Sequence, residues 1–134
     1  MEKSLEIEVA VGHTDELGHL NHVQAVEYLQ SARLDLYDAC GLRPAGSETP
    51  LGTIVVNLNV NYRRECFLGD RLRVTTRLLS LGSKSFRVEQ QIVRPDGVVA
   101  IDAVVTSVVM EMASRRVIAV PPVLARLFPS PDPV

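Results

Sequence analysis

The chain has 134 residues, 46% of them hydrophobic and 22% charged, with a formal net charge of −2. This length and balance are typical of one folded domain, predicted over residues 1–128, and exclude a disordered chain. A charge so near zero gives no broad basic field, so neither nucleic acid nor a membrane surface is expected as a partner.

Nothing in the sequence indicates secretion. The opening MEKSLEIEV lacks the apolar run of a signal peptide, and no stretch is continuously apolar enough to span a bilayer. Cys40 and Cys66 show no spacing typical of a disulfide framework, so both are predicted to be free thiols. A cytoplasmic location is therefore expected.

The first half of the chain predicts a strand, a polar loop and one long helix. Residues 5–11 begin with alternating apolar and acidic side chains, the period of two that a strand shows. Residues 22–40 predict a helix of about five turns, because apolar side chains recur there at three- and four-residue steps. These are Val26, Leu29, Ala32, Leu36 and Cys40. Gly41 stands where helices commonly end, and Pro44 lies just beyond.

The second half predicts four or five strands. Alternating patterns cover residues 54–63, 71–78 and 85–93. Because residues 98–112 are apolar almost throughout, this strand is expected to be buried on both faces in the middle of the sheet. A short strand near 116–120 precedes one or two helical turns in PPVLARLF, and residues 129–134 form a proline-rich tail. The predicted fold is α+β, with a largely antiparallel sheet of five or six strands wrapped around one helix.

The same alternation assigns side chains to faces of the sheet. In the strand at 54–63, one face carries Val56, Leu58, Val60 and Tyr62, and the other carries Asn57, Asn59, Asn61 and Arg63. In the next two strands the inward residues are predicted to be Leu72, Val74, Thr76, Leu78, Phe86, Val88 and Ile92. A sheet with one alternating polar face leaves an open edge, which favours a homo-oligomer.

Polar side chains are concentrated in GHTDELGHLNH at 12–22, directly before the helix. The stretch TDELGHLNHVQAVEYLQSAR resembles the signature of hotdog-fold acyl-CoA thioesterases of the 4-hydroxybenzoyl-CoA thioesterase-like superfamily. The matching residues are Thr14, Asp15, Gly18, His19, Asn21, Tyr28, Ala32 and Arg33. VNYRRECFLGDRLRV, LGSKSFRVEQQIVR and IAVPP extend the resemblance in order over nearly the whole chain. Val11, His13 and His22 depart from the family pattern, which more often has an aromatic, an acidic residue and an asparagine there.

The resemblance implies a hotdog fold that hydrolyses an acyl-CoA to a carboxylic acid and free coenzyme A without a cofactor. It also implies a homodimer or homotetramer with active sites between subunits. Basic residues just before the SF strand contact coenzyme A phosphates in the family, so Lys84 and Ser85 are candidate substrate contacts. Arg64 is a weaker candidate, since strand-end arginines are commonly solvated.

Thioester hydrolysis suits the residues of the loop. The thiolate leaves readily, so the reaction needs a base or nucleophile and a group that stabilises the oxyanion. Asp15 can be the nucleophile, through a mixed anhydride, or the general base on water, and the sequence leaves both open. The start of the helix offers unpaired N–H groups at the positive end of its dipole, with His22 contributing its main-chain N–H. Gly18, lacking a Cβ, would let a carbonyl group approach closely.

Other loop and helix residues have structural roles to weigh beside catalytic ones. Asn21 suits a helix N-cap, a position that orients water or substrate, or both. His19 is expected to hydrogen-bond within the loop. Tyr28 either belongs to the core, its hydroxyl finding a partner, or lines the acyl channel.

Beside hydrolysis, the sequence raises a metal site and two other functions. The histidines raise the question of a metal site, but their spacing matches no zinc signature, so no metal is predicted. A hotdog hydratase or dehydratase would act on the same thioesters with a carboxylate and a histidine. A non-catalytic acyl-CoA-binding module would keep the fold without turnover. Free thiol appears only with hydrolysis.

Overall fold

One long helix packs against one face of a six-stranded antiparallel sheet in the computed structural model, which describes residues 1–42 and 51–128. The strands are β1 (Glu2–Glu8), β2 (Leu51–Tyr62), β3 (Arg71–Leu81), β4 (Ser85–Val93), β5 (Val99–Glu111) and β6 (Arg116–Ile118). The helices are α1 (His22–Ala39) and α2 (Pro122–Ala125). The sheet order is β1-β3-β4-β5-β2, and β6 pairs with β5 beyond the end of β4. The predicted α+β architecture is confirmed.

Helix α1 begins and ends where the sequence predicts. The Asn21 side chain caps its start by accepting the Val23 N–H at 2.8 Å. Gly41 has φ +75°, the left-handed conformation in which glycine ends helices with little strain. Leu29 and Leu36 are fully buried, so the predicted apolar face is the one that packs on the sheet. Pro44 lies outside the described residues, as does the tail at 129–134.

The core forms two clusters along α1. The first gathers around Leu29, and the second around Leu36. All the residues predicted to face inward on β3 and β4 are at most 1% exposed, so their alternation is confirmed: Leu72, Val74, Thr76, Leu78, Phe86, Val88 and Ile92. Both cysteines are buried free thiols.

Strand β1 differs from the prediction in its bounds, and β5 differs in its burial. β1 covers Glu2–Glu8, earlier than predicted, because Val11–His13 turns into a short 3-10 helix before the polar loop. The prediction that residues 98–112 are buried on both faces is wrong. β5 alternates between fully and partly buried side chains, since α1 covers one face of the sheet and the other is open.

β2 contains a β-bulge that the sequence pattern does not reveal. Val55 pairs with Ser107 and Asn57 pairs with Thr106, which leaves Val56 without a partner in the ladder. The prediction that Val56 lies on the same face as Leu58 is therefore wrong. Before the bulge, the residue on that face is Val55, which pairs with the buried Ser107. No helix within 1–42 or 51–128 has both the length and the apolar character to cross a membrane.

Candidate active site

Residues 13–21 form a small two-stranded hairpin that leads directly into α1. The Asn21 N–H donates to the His13 carbonyl and the Asp15 N–H donates to the His19 carbonyl, both at 2.9 Å. A turn closes the hairpin, in which the Gly18 N–H donates to the Asp15 carbonyl at 3.1 Å. Asp15 lies two residues along the hairpin from His13, which pairs with Asn21 at the helix start. Two residues of extended chain span about 7 Å.

The Asp15 carboxylate is exposed and is held by one of its oxygens. Oδ1 accepts the Leu17 N–H at 2.9 Å and the His19 N–H at 3.2 Å. Among the described residues no donor contacts Oδ2. One oxygen therefore fixes the side chain while the other stays available to a reactant.

The first turn of α1, which follows the open end of the same hairpin, has unpaired donors. The Asn21 side chain accepts one N–H of the turn, and its carbonyl accepts the Ala25 N–H at 3.0 Å. The N–H groups of His22 and Gln24 meet no acceptor in the part of the chain that the structure describes. They lie at the positive end of the helix dipole, where a developing negative charge is stabilised.

Gly18 is required by its backbone conformation. Its φ is +80°, and a Cβ placed there would meet no atom of the chain within 4 Å. The space beside it is open to a substrate, and the approach of a carbonyl group to this point stays a prediction.

The ring of His19 bonds outside the loop, contrary to expectation. Its Nδ1 lies 3.3 Å from the Glu65 carboxylate, and its ring meets Phe67 edge-on at 5.3 Å. Only its main chain bonds within the hairpin, as described above. The reason is that His19 pairs with Phe67 across a short bridge, which turns the ring toward the segment after β2.

Tyr28 is a core residue whose hydroxyl has a partner. It is 5% exposed, and its hydroxyl lies 2.6 Å from Nδ1 of His13, whose ring it meets edge-on. Burial raises the pKa of Tyr28, with the neighbouring Cys66 adding to the shift, so the phenol stays neutral. The tautomer of His13 decides which of the two groups donates this hydrogen bond. His13 had no role assigned from sequence, because the pair is 15 residues apart and carries no local signal.

Tyr62 is a second residue of the site that no sequence pattern reveals. Its hydroxyl donates to the main-chain carbonyl of His22 at 3.1 Å, and the two rings lie 6.4 Å apart. The last residue of β2 is therefore joined to the first residue of α1. The rings of the three histidines face different partners, and within the described residues no cluster of His, Cys, Asp or Glu could hold a metal ion.

The remaining candidates lie at two ends of the sheet. Arg64 follows β2 and lines an open depression of ≈ 640 Å³ together with Tyr62. Lys84 and Ser85 lie at the turn into β4, where Ser85 pairs with Val108 of β5. Tyr62 pairs with Ile101 of the same strand, so this turn is about 23 Å from the helix start. The structure brings Asp15, Gly18, His19, Asn21, His22 and Tyr28 together, with Arg64 at the same end, but not Lys84 and Ser85.

Comparison with known proteins identifies the family. A model described as the thioesterase-like superfamily matches residues 9–128. The chain belongs to the thioesterase-like superfamily. The long-chain acyl-CoA thioesterase FadM of Escherichia coli is 32% identical over 115 residues, covering 85% of this chain and 87% of that protein.

Solved structures of similar shape confirm the hotdog fold. A Thermus thermophilus thioesterase complexed with coenzyme A and Zn aligns with a TM-score of 0.80 and 25% identity, over 92% of this chain and 94% of that chain. The hypothetical protein SAV2348 from Staphylococcus aureus, solved in complex with CoA, aligns with a TM-score of 0.87 over 98% of this chain and 89% of that chain. Its identity is 16%, so this likeness shows the fold alone.

Two positions at which the chain departs from the superfamily pattern described above make contacts at the site. The His13 ring contacts Tyr28, and the His22 carbonyl accepts from Tyr62. Val11, the third departure, is 75% exposed. The hairpin is therefore joined to the core by the His13 side chain and to the edge strand through the main chain of His22.

Proposed function

We propose that the chain is an acyl-CoA thioesterase in which Asp15 attacks the thioester or activates the attacking water. The observation that supports this most is the pairing of two features: a carboxylate with one fixed and one available oxygen, and a helix start with an unpaired N–H at His22. The hydrolysis of acyl-CoA by the relative FadM, as its name states, agrees with this chemistry.

The two mechanisms share one oxyanion. In the first, Oδ2 of Asp15 bonds to the thioester carbon, the C–S bond breaks, and water then hydrolyses the mixed anhydride. In the second, Asp15 takes a proton from a water that attacks the same carbon. In both, the carbonyl oxygen becomes negative, and the His22 N–H is the donor proposed to stabilise it.

We further propose that two copies pair through β2 and form the site together. In the described part of the chain β2 pairs only with β5, so its other edge is open, and several apolar side chains of the strand are exposed. Val56 is 57% exposed, Leu58 39% and Tyr62 50%. An open, apolar edge strand pairs readily with a second copy. A homotetramer would be two such dimers.

This arrangement supports a role for Lys84 and Ser85. A two-fold axis through an antiparallel β2–β2 pair reverses the second copy, which carries its turn before β4 to the end of the first copy's Asp15. The long distance between Lys84 and Asp15 within one chain then does not prevent Lys84 from binding the phosphates of a substrate held at the other copy's Asp15. Lys84 is exposed and would contact the coenzyme A phosphates, with Ser85 beside it and Arg64 from the first copy.

The test is a panel of acyl-CoAs of different length and shape, assayed with a thiol-reactive dye. Steady release of free thiol supports the proposal. Hydration of an enoyl-CoA without thiol release would show a hydratase instead, although no histidine ring in the described residues bonds Asp15. Tight binding without turnover of any substrate would show a binding module and overturn the proposal.

A further inference from the structure

A second cavity, partly enclosed and of ≈ 220 Å³, lies between α1 and the inner face of β2. It runs from the exposed Gln30 and Val55 to the buried Arg33, Tyr37 and Ser107, and most of its lining is polar: Gln30, Arg33, Leu34, Tyr37, Thr53, Val55 and Ser107. None of these residues has been used in the mechanism above.

Arg33 brings a buried positive charge to this cavity. The residue is 7% exposed, and one nitrogen donates to Gln90 Oε1 at 3.1 Å. Gln90 is itself bonded to the Leu29 carbonyl and the Thr76 hydroxyl, both at 2.9 Å. Within 1–42 and 51–128 no carboxylate pairs with Arg33. Burial lowers the pKa of Arg33, as expected for a cation with little solvent.

Tyr37 adds a buried donor. It is 1% exposed, and its hydroxyl makes no hydrogen bond of full geometry to any described residue, although Ser107 lies within reach of one. Burial raises the pKa of Tyr37 to about 12, so the hydroxyl is neutral near pH 7, while the charge of Arg33 and a hydrogen bond with Ser107 oppose this shift. Ser107, also 1% exposed, adds a second hydroxyl. A buried cation is normally paired, so these three groups together match one carboxylate.

The cavity lies along the same side of α1 as the reaction centre. His22, Val26, Gln30 and Leu34 recur at four-residue steps and so form one stripe of the helix. The inner face of β2 runs beside it from Tyr62, bonded to His22, to Val55 at the cavity. From His22 to Arg33 the helix rises about 16 Å. Between the two ends β2 presents the apolar Leu58 and Val60.

We propose that this cavity binds the distal carboxylate of an acyl group whose thioester end lies at Asp15. The substrate class is then the coenzyme A monothioesters of long dicarboxylic acids, and this inference rests on the thioesterase function proposed above. The carboxylate accepts hydrogen bonds from Arg33 and Tyr37, and the apolar part of the chain lies along Leu58 and Val60. A methyl-ended chain of the same length would leave the guanidinium unpaired.

The first experiment compares kcat/KM for dicarboxylic monothioesters and for methyl-ended acyl-CoAs of matched lengths. We expect the dicarboxylic esters to be preferred at least about tenfold near the length that spans 16 Å, because hydrogen bonds to a charged group are the strong ones. Tyr37→Phe should lower this preference severalfold. Thr106→Val, the residue before Ser107 but on the outer face of β5, is the matched control and should leave the preference unchanged.

The second experiment measures binding of the free dicarboxylic acids by calorimetry, so it does not depend on turnover. Tyr37→Phe removes a buried hydroxyl that has at most a weak hydrogen bond with Ser107, so the variant should melt near the wild-type temperature while binding the diacid more weakly. If the chain binds diacids but hydrolyses no acyl-CoA, the proposed role of the cavity is supported and the proposed thioesterase function is rejected. A chain that hydrolyses methyl-ended acyl-CoAs equally well and binds no diacid would overturn the inference. Arg33 would then serve only to join α1 to β4 through Gln90.

Discussion

At the scale of residues, the two oxygens of Asp15 differ in their contacts. Oδ1 is occupied by the N–H groups of Leu17 and His19, which set the direction of the side chain. A carboxylate that had to orient itself at each turnover would lose much of the advantage of a fixed reacting group. The hairpin thus provides orientation through its main chain, without another side chain.

Replacement of Asp15 by Asn should separate orientation from chemistry. The Asn oxygen can still accept from Leu17 and His19, so the melting temperature should stay near that of the wild type. The charge and nucleophilicity are lost, and kcat should fall by about 10² to 10⁴. Steady-state hydrolysis and thermal melting check both parts. Glu16→Gln, an exposed neighbour in the same turn, is the control and should keep full activity. Asp15→Asn with more than about a tenth of wild-type kcat would exclude Asp15 as base or nucleophile.

Gly18 offers a second test of the hairpin. Gly18→Ala forces an L-residue into φ +80° and should cost about 1–2 kcal/mol of stability, or open the turn and lower kcat. Gly12→Ala adds the same methyl group where no positive φ is needed and no atom lies within 4 Å, so it should be close to neutral. Denaturant unfolding compares the two. Equal effects would show that the turn conformation does not require glycine.

At the scale of elements, features set by adjacent residues are predictable from the sequence, whereas pairings between distant segments are not. Asn21 and Gly41 fix the two ends of α1 because a cap and a left-handed glycine act on adjacent backbone. The bulge at Val56 falls in the apolar run Ile54, Val55 and Val56, where the alternation is interrupted, but the run does not show which residue lacks a partner. The link from Arg33 to Gln90 spans 57 residues and depends on the register of helix and sheet.

The same distinction applies to the site. Asp15, Asn21 and His22 could be grouped in advance because they are neighbours along the chain. His13 and Tyr62 could not, because each meets its partner through folding. Lys84 could be named only through the family resemblance, and its position far from Asp15 within one chain emerges from the pairing of β4 with β5.

Lys84→Ala should weaken binding more than chemistry. A phosphate contact far from the carbonyl is present in both the bound substrate and the transition state, so KM should rise while kcat stays near the wild type. Added salt should have a similar effect on the wild type. Arg126→Ala removes an equal charge near Met1, on the β1 side of the sheet, and should leave KM unchanged. An effect on kcat alone would show that Lys84 does not contact the phosphates.

At the scale of the whole molecule, the sheet has two unlike edges. β1 is a short strand that alternates exposed and partly buried residues, with Glu2, Ser4, Glu6 and Glu8 exposed. β2 is longer and has exposed apolar side chains, among them Val56 and Leu58. Charges on an edge strand oppose edge pairing, so β2 is expected to pair with another chain more easily than β1.

Val56→Lys should therefore dissociate the proposed dimer, because it places a charge on the edge of β2. The expected result is a monomer by size-exclusion chromatography with light scattering, together with loss of activity. Ser4→Lys makes the corresponding change on β1. This variant should have the same molar mass in solution and the same activity as the wild type. A wild-type chain that is monomeric and fully active would contradict the pairing through β2.

The hydrogen bond from Tyr62 to the His22 carbonyl has a consequence for how the enzyme responds to dilution. Tyr62 belongs to the strand proposed to join the copies, and His22 supplies the donor proposed for the oxyanion. Separation of the copies frees the edge strand and, through this bond, the backbone at the reaction centre. Specific activity should then depend on protein concentration, and a chain defective at the edge could inactivate an intact one by pairing with it.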